Sequence, residues 1–149
     1  MVKADALDWS KCKVDEKASE VVLAWKHSPK KENYPEYWIA GQLDEQGQPH
    51  GLARVVINDE AYEGSFVHGW LHGYGREIRR DHYHVGEYNN GTRCGPGKEV
   101  DVTGTYEGTF DEDGGLQGPG KWTSRKGNVY EGVWSKDYQL NGVDCWDLE

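Results

Sequence analysis

The sequence predicts an all-β protein: an antiparallel β-meander, in which consecutive hairpins form a single twisted sheet behind a short N-terminal capping segment. Three observations favour this fold. A skeleton of aromatic, x, Gly, x, aromatic, followed by spaced glycines, recurs along the chain. Gly accounts for 20 of the 149 residues but Pro for only 5, which is unlike collagen or a disordered chain. Seven Trp and nine Tyr, against two Phe, suit a sheet whose large side chains keep one polar edge wet.

The clearest copy of the skeleton runs from Tyr62 to Gly75 and reads Y-E-G-S-F-V-H-G-W-L-H-G-Y-G. Two further copies occupy residues 84–97 and 106–120, and weaker ones lie on either side as I-A-G-Q-L and Y-E-G-V-W. Their first glycines are 23, 22, 22 and 24 residues apart, at Gly41, Gly64, Gly86, Gly108 and Gly132. Spacing this regular indicates a repeat array.

The skeleton resembles the MORN repeat, whose pattern is roughly Y-x-G-x-W/F-x-x-G-x-x-x-G-x-G. The resemblance extends over residues 39–144 and is weaker in the first and last copies. Ile39, Leu43 and Ala53 replace pattern residues in copy one, and Asp144 replaces the final glycine of copy five. Terminal copies of stacked repeats are commonly atypical, so these departures fit capping repeats.

The resemblance divides the chain into an N-terminal cap over residues 1–38 and a MORN-repeat domain over residues 39–149. The five copies begin near residues 39, 62, 84, 106 and 130. They loosely resemble the MORN region that precedes the SET domain of some lysine methyltransferases, but the chain has no SET-like sequence.

The cap contains one candidate strand. Glu20–His27 is rich in β-branched and aromatic residues, and a strand there would cover the edge of the first repeat. The charged segment Asp15–Ser19 could open a short helix, and Ser28–Glu36 is a loop with two prolines. We expect three tryptophans to seal this end of the array: Trp9, Trp25 and Trp38.

Each copy supplies two short strands, about ten in total, joined by turns at Asn, Asp and Gly. Strand alternation places Tyr62, Gly64 and Phe66 on one face. Because glycine has no side chain, the flanking rings are expected to lie over the backbone at Gly64 and at its equivalents.

The same alternation places a ladder of carboxylates on the opposite face: Glu63, Glu87, Glu107 and Glu131. Two interpretations stay open. The ladder is a solvated face that keeps the sheet soluble, or it is a docking strip for a basic partner segment. Carboxylates spaced so evenly do not form the unequal pair needed for acid/base catalysis.

A second candidate binding surface combines basic residues with aromatics that the skeleton does not require. Its members are Trp70, Tyr74, Arg76, Arg79, Arg80, Tyr83 and Trp122. Exposed aromatics beside arginines are typical of interface hot spots. The alternatives are ordinary packing for the aromatics and ion pairs with neighbouring Glu for the arginines.

Patterns for catalysis and cofactors are missing from the sequence. It contains neither a nucleophile elbow nor a phosphate-binding loop, so we predict no catalytic residue and no cofactor. Cys12, Cys94 and Cys145 are odd in number and far apart, which predicts reduced thiols. The histidine spacings His68/His72 and His82/His84 lack a completing ligand, so no metal site is predicted.

Charge and composition limit the partners. The formal net charge of −9 argues against nucleic acid and disfavours an anionic membrane surface. No signal peptide or membrane span is recognisable, which favours a cytoplasmic protein. We expect a non-catalytic scaffold that binds another protein. Open alternatives are membrane or phosphoinositide attachment, the regulatory or substrate-docking part of a multi-component enzyme, and pairing of two copies through an exposed edge strand.

Overall fold

A computed structural model describes residues 6–13, 24–28, 32–33 and 35–149, and it confirms the single antiparallel sheet. Twelve strands lie side by side in sequence order, so each one pairs only with its neighbours along the chain. The strands are β1 (Ala24–Ser28), β2 (Tyr37–Leu43), β3 (Pro49–Ile57), β4 (Glu60–Val67), β5 (Trp70–Ile78), β6 (Tyr83–Asn89), β7 (Thr92–Val100), β8 (Gly104–Phe110), β9 (Leu116–Ser124), β10 (Val129–Ser135), β11 (Gln139–Leu140) and β12 (Val143–Asp144).

The sequence predicted about ten strands in the five copies and one in the cap, and the structure has twelve. Strand β1 is the cap strand, and copy five supplies three strands, β10, β11 and β12, instead of two. Two three-residue 3₁₀ helices complete the described elements, at Trp9–Lys11 and Cys145–Asp147. No helix in this part of the chain is long and apolar enough to cross a membrane.

The strand predicted within Glu20–His27 is confirmed in its described part, because β1 pairs with β2. Trp38 stacks on His27 across this pair, with ring centroids 3.9 Å apart, as expected for an aromatic at the end of the array. The segment Asp15–Ser19 and the side chain of Trp25 lie outside the described residues.

A row of residues almost without side chains crosses the middle of the sheet. From β2 to β10 the residues paired in register are Gly41, Ala53, Gly64, Gly75, Gly86, Gly97, Gly108, Gly120 and Gly132. Beside this row the register shifts in the pairs β2–β3, β4–β5, β6–β7 and β8–β9, where the second strand of each pair contains the extra residues. At Gly64 the backbone has φ 130°, and a Cβ would lie 2.5 Å from the Cα of Gly75. We call these residues the glycine row, because only very small residues fit there.

Aromatic rings lie over the glycine row, as predicted. A Cβ at Gly108 would approach the hydroxyl of Tyr106 to 2.4 Å, and one at Gly120 would approach it to 2.5 Å. We call this side of the sheet the aromatic face. It carries two clusters of buried residues, one around Phe66 and Tyr88 and the other around Phe110 and Trp134.

The opposite side, which we call the charged face, alternates in sign rather than presenting an acidic ladder. The residues paired in register from β3 to β10 are Arg54, Glu63, Arg76, Val85, Lys98, Glu107, Lys121 and Glu131. The second strand of each copy supplies the cations between the glutamates. Copy three has Val85 in this row, and its Glu87 lies two residues further along the strand. Glu63, Glu107 and Glu131 therefore recur along one row as predicted, but cations stand between them and Glu87 lies outside the row.

The C-terminal end of the array is short and folded back. Strands β11 and β12 have two residues each, and the Tyr130 hydroxyl donates to the backbone carbonyl of Leu148 at 2.7 Å. An edge of this length offers little backbone for strand addition by a second copy.

Candidate interaction groove

The aromatic face contains a groove whose mouth is formed by Trp70. Trp70 begins β5 directly after the turn that ends β4, and 62% of its surface is exposed. Its indole leans on the next hairpin, where a Cβ at Gly91 would meet the ring at 2.6 Å. Glycine at that position leaves the room that the indole occupies. The ring is therefore held at the surface by backbone on one side and faces solvent on the other.

Behind Trp70 lies a cavity of about 290 Å³ with largely apolar walls. Its lining includes Val55, Ile57, Tyr62, Phe66, Trp70 and Leu71. A second, more polar depression continues beside it and shares three residues with the first: Glu77, Arg79 and Gly91. We call the two together the Trp70 groove.

Charged side chains at the groove are ion-paired. Arg79 bonds to Glu77 and lies 3.6 Å from a carboxylate oxygen of Glu60. Arg93 lies 2.9 Å from Glu99 and covers the Phe110 ring at 5.5 Å. Ion pairing of the arginines, the alternative that the sequence left open, is confirmed for Arg79.

The hydroxyl of Tyr62, which lines the same cavity, donates to Glu60 at 2.5 Å. Burial, and then the hydrogen bond to Glu60, raise the pKa of Tyr62 to about 12. The phenol therefore stays neutral at physiological pH.

A family model for the MORN repeat matches residues 62–82 and 84–106. Residues 62–106 are MORN repeats. The match covers the two copies that line most of the Trp70 groove. A search of curated proteins found no relative.

In the second MORN copy detected, a histidine takes the position of the leading tyrosine. His84 is 1% exposed, and its Nδ1 lies 2.9 Å from the Tyr88 hydroxyl, while Phe110 packs edge-on against the ring. Burial lowers the pKa of His84 to about 3. As the pH falls, His84 is therefore protonated in the unfolded chain before it is protonated in the folded protein. His84 thus lowers the free energy of unfolding as the pH drops from about 6.5 toward 3.

The predicted aromatic-basic surface is divided between the two faces of the sheet. Trp70 and Arg79 stay together at the groove. Tyr74 and Arg76 lie on the charged face, in register with Glu87 and Val85. Arg80 is exposed in the turn between β5 and β6 and does not line the groove.

Two residues proposed as surface contacts belong to the interior. Tyr83 is 4% exposed, because it lies between Ile78 and Val100 on the neighbouring strands. Trp122 stacks on Tyr130 at 5.4 Å and packs against the second buried cluster. Ordinary packing, the alternative left open for the aromatics, is therefore the correct interpretation for these two.

Of the four predicted glutamates, Glu63 is the exception. Its side chain is 5% exposed, and it lies 2.6 Å from Arg76 and 3.2 Å from Arg54. Glu87, Glu107 and Glu131 are exposed. Glu107 pairs with Lys121 at 3.1 Å, where both side chains are more than a third exposed. The prediction that Glu63 belongs to a solvated face is wrong.

The N-terminal segment 6–13 covers part of the charged face and was missed by sequence reasoning. The backbone N–H of Lys13 donates to the Ser65 hydroxyl at 2.8 Å, and the Cys12 thiol donates to the carbonyl of Tyr74 at 3.4 Å. The ammonium of Lys11 lies over the Tyr74 ring at 5.2 Å. These contacts join residues 52 and 62 positions apart, which no local pattern could indicate. Trp9 belongs to this segment, whose contacts are with β4 and β5 rather than with the end strand β1, so its predicted place at the end of the array is wrong.

Replacing Ser65 with Ala should loosen this segment and expose Cys12. The change removes the acceptor of the Lys13 N–H, and one such bond contributes about 1 kcal/mol, or roughly fivefold in a local opening equilibrium. Burial raises the pKa of the Cys12 thiol, which keeps its thiolate fraction low in the closed state. We expect faster alkylation of Cys12, measured with iodoacetamide in a background carrying Cys94→Ser and Cys145→Ser.

The control is Thr109→Ala, which changes the equivalent position two copies later. It should leave the alkylation rate unchanged. Equal rates for Ser65→Ala and the parent protein would show that segment 6–13 is not held by this contact.

Proposed function

We propose that this protein is a non-catalytic binding module that holds a segment of another protein in the Trp70 groove. The observation that carries the proposal is the exposed indole of Trp70 at the mouth of an apolar cavity. Tryptophan is among the residues that dominate binding energy at interfaces, and it does so from partly enclosed positions of this kind. MORN repeats alone do not decide the function, because one fold serves many roles.

The groove matches the anatomy of a small interface. Its apolar wall, from Val55 to Leu71, could receive one or two apolar side chains of a partner. At its polar end, Arg79 is 43% exposed and retains donors for a carbonyl or carboxylate of the bound segment. Because Arg79 is already paired with Glu77, it contributes more to orientation than to net charge attraction.

The test compares two tryptophans of similar exposure. Trp70 is 62% exposed at the groove, whereas Trp146 is 66% exposed in the C-terminal 3₁₀ helix. Peptides selected from a display library on the parent protein would be titrated against Trp70→Ala and Trp146→Ala. We expect Trp70→Ala to weaken binding by about 2 kcal/mol, roughly thirtyfold, and Trp146→Ala to have little effect.

Arg79→Ala should weaken the same peptides less than Trp70→Ala does, because its charge lies at the rim. Peptides that bind the parent and both tryptophan variants equally would show that the groove is not the binding site. Binding to anionic vesicles that is lost with salt, together with an absence of peptide ligands, would instead favour the membrane alternative.

A further inference from the structure

At one edge of the sheet the fold brings together three residues that are far apart in sequence. Asp44 lies in the turn after β2, His50 lies on β3, and His68 is in the turn after β4. The Asp44 Oδ2 lies 2.9 Å from the Nδ1 of His68, and the ring centroids of His50 and His68 are 4.5 Å apart. One ligand atom from each residue lies within 4.8 Å of the others.

The carboxylate of Asp44 is held in place by the turn that it begins. Its Oδ1 accepts the backbone N–H groups of Gln46 and Gln48 at 3.0 and 2.9 Å, so Oδ2 is directed at His68. The hydrogen bond from His68, and then that from the Gln48 N–H, hold the pKa of Asp44 below its ordinary value. Asp44 is therefore a fixed anion at neutral pH.

Both Nδ1 atoms take part in hydrogen bonds that a bound ion would displace. His50 accepts the backbone N–H of His68 at Nδ1, at 3.1 Å, so that atom carries no proton. The Nδ1 of His68 shares a proton with Asp44, and 68% of the side chain is exposed to solvent. When neutral His68 moves its proton to Nε2, Nδ1 becomes available without net proton release.

The turn does not itself require a histidine at this position. His68 and Gly69 have φ 43° and 92°, and Asn90 and Gly91 have φ 46° and 84° in the equivalent turn one copy later. Asn-Gly is the pair that such a turn prefers. In that copy His72 accepts the N–H of Asn90 at 3.3 Å, as His50 accepts that of His68. The backbone arrangement is thus repeated one copy later. There, Val67 occupies the position of Asp44, and Asn90 occupies the position of His68.

We propose that Asp44, His50 and His68 bind a divalent transition-metal ion of the zinc class through Oδ2 and the two Nδ1 atoms. The ion replaces the proton shared by Asp44 and His68 and the hydrogen bond to His50, and water completes a tetrahedral shell. Two imidazoles and one carboxylate form a ligand set that Zn²⁺ accepts in proteins. The ion would join the first MORN copy to the turn that precedes Trp70. This inference is independent of the proposed binding function.

The test is a titration of the chelator-treated full chain with Zn²⁺ by calorimetry, repeated with Co²⁺, whose visible absorption reports a tetrahedral shell. We expect one ion per chain. His68→Asn copies the turn of the next repeat, so its far-ultraviolet circular dichroism and its melting temperature without metal should match the parent. Its affinity should fall at least about tenfold, since even the partners of metal ligands contribute that much. Asp44→Asn should have a similar effect.

His72→Gln is the matched control, because it removes an exposed histidine from the copy that lacks the other two ligands. It should leave the affinity unchanged. The proposal is overturned if the parent binds no stoichiometric ion, if His68→Asn binds as well as the parent, or if His72→Gln weakens binding as much as His68→Asn does.

Discussion

Replacing Glu63 with Gln will lower the free energy of unfolding by about 3 kcal/mol, because it removes the carboxylate charge that pairs with a largely buried arginine, Arg76. Glu63 lies between two cations, but they differ in exposure. The side chain of Arg54 is 58% exposed and that of Arg76 only 14%. Water screens Arg54, so the cost falls mainly on Arg76. Gln keeps the volume of Glu, and the loss therefore reports on charge rather than on packing.

The same row of the sheet contains a matched control. Glu107 also stands between two cationic positions, and it contacts Lys121 at 3.1 Å, but the pair is open to solvent. Glu107→Gln should cost no more than about 1 kcal/mol. Urea unfolding followed by tryptophan fluorescence measures both variants. Equal losses would mean that burial does not strengthen the Glu63 pair.

Replacing Gly108 with Val will lower the free energy of unfolding by about 2 to 3 kcal/mol, the cost of overpacking a filled site. A Cβ at this position would lie 2.4 Å from the Tyr106 hydroxyl and 3.0 Å from the Cα of Gly120. Tyr106 has little room to move, because Phe110 and Trp134 pack edge-on against its ring at 5.5 and 5.6 Å. Relief of the clash therefore requires the sheet to open locally.

A loss of that size corresponds to a fall in melting temperature of about 5 to 10 °C for a chain of this length. Thr109→Val is the control, since it places the same side chain one residue along, on the opposite face, where Thr109 is half-buried. Its melting temperature should stay within about 2 °C of the parent, as expected for a substitution away from such contacts. An unchanged melting temperature for Gly108→Val would contradict the role assigned to the glycine row.

The sheet could be predicted from the sequence because the residues that specify each pair of strands lie close together in the chain, within one copy of the skeleton. Each glycine of the central row belongs to a copy of the skeleton, and the period of 22 to 24 residues places these glycines side by side in a meander. His84 stands at the leading aromatic position of the copy that begins at residue 84, and the structure buries it among Tyr88 and Phe110.

The candidate sites were harder to predict, because alternation tells which face a side chain occupies but not what covers that face. Glu63 was assigned to the correct side, yet the arginines beside it come from neighbouring strands, and segment 6–13 lies over the adjacent Ser65. Trp70 and Tyr74 were assigned to one surface because the skeleton requires neither of them, but the structure separates them onto the groove and the charged face. Asp44 and His68 are 24 residues apart and meet only because their two turns lie at the same edge of the sheet.

Because each strand pairs only with its neighbours in sequence, the length of the sheet depends on the number of repeats. Each of the two MORN copies that the family model matches adds two strands, and strands in a sheet are about 4.8 Å apart, so each of these copies extends the sheet by about 10 Å. A copy gained or lost would change the length of the aromatic face by that step while leaving the contacts of distant copies intact. The length of the surface available for binding therefore changes in steps of one repeat, and not continuously.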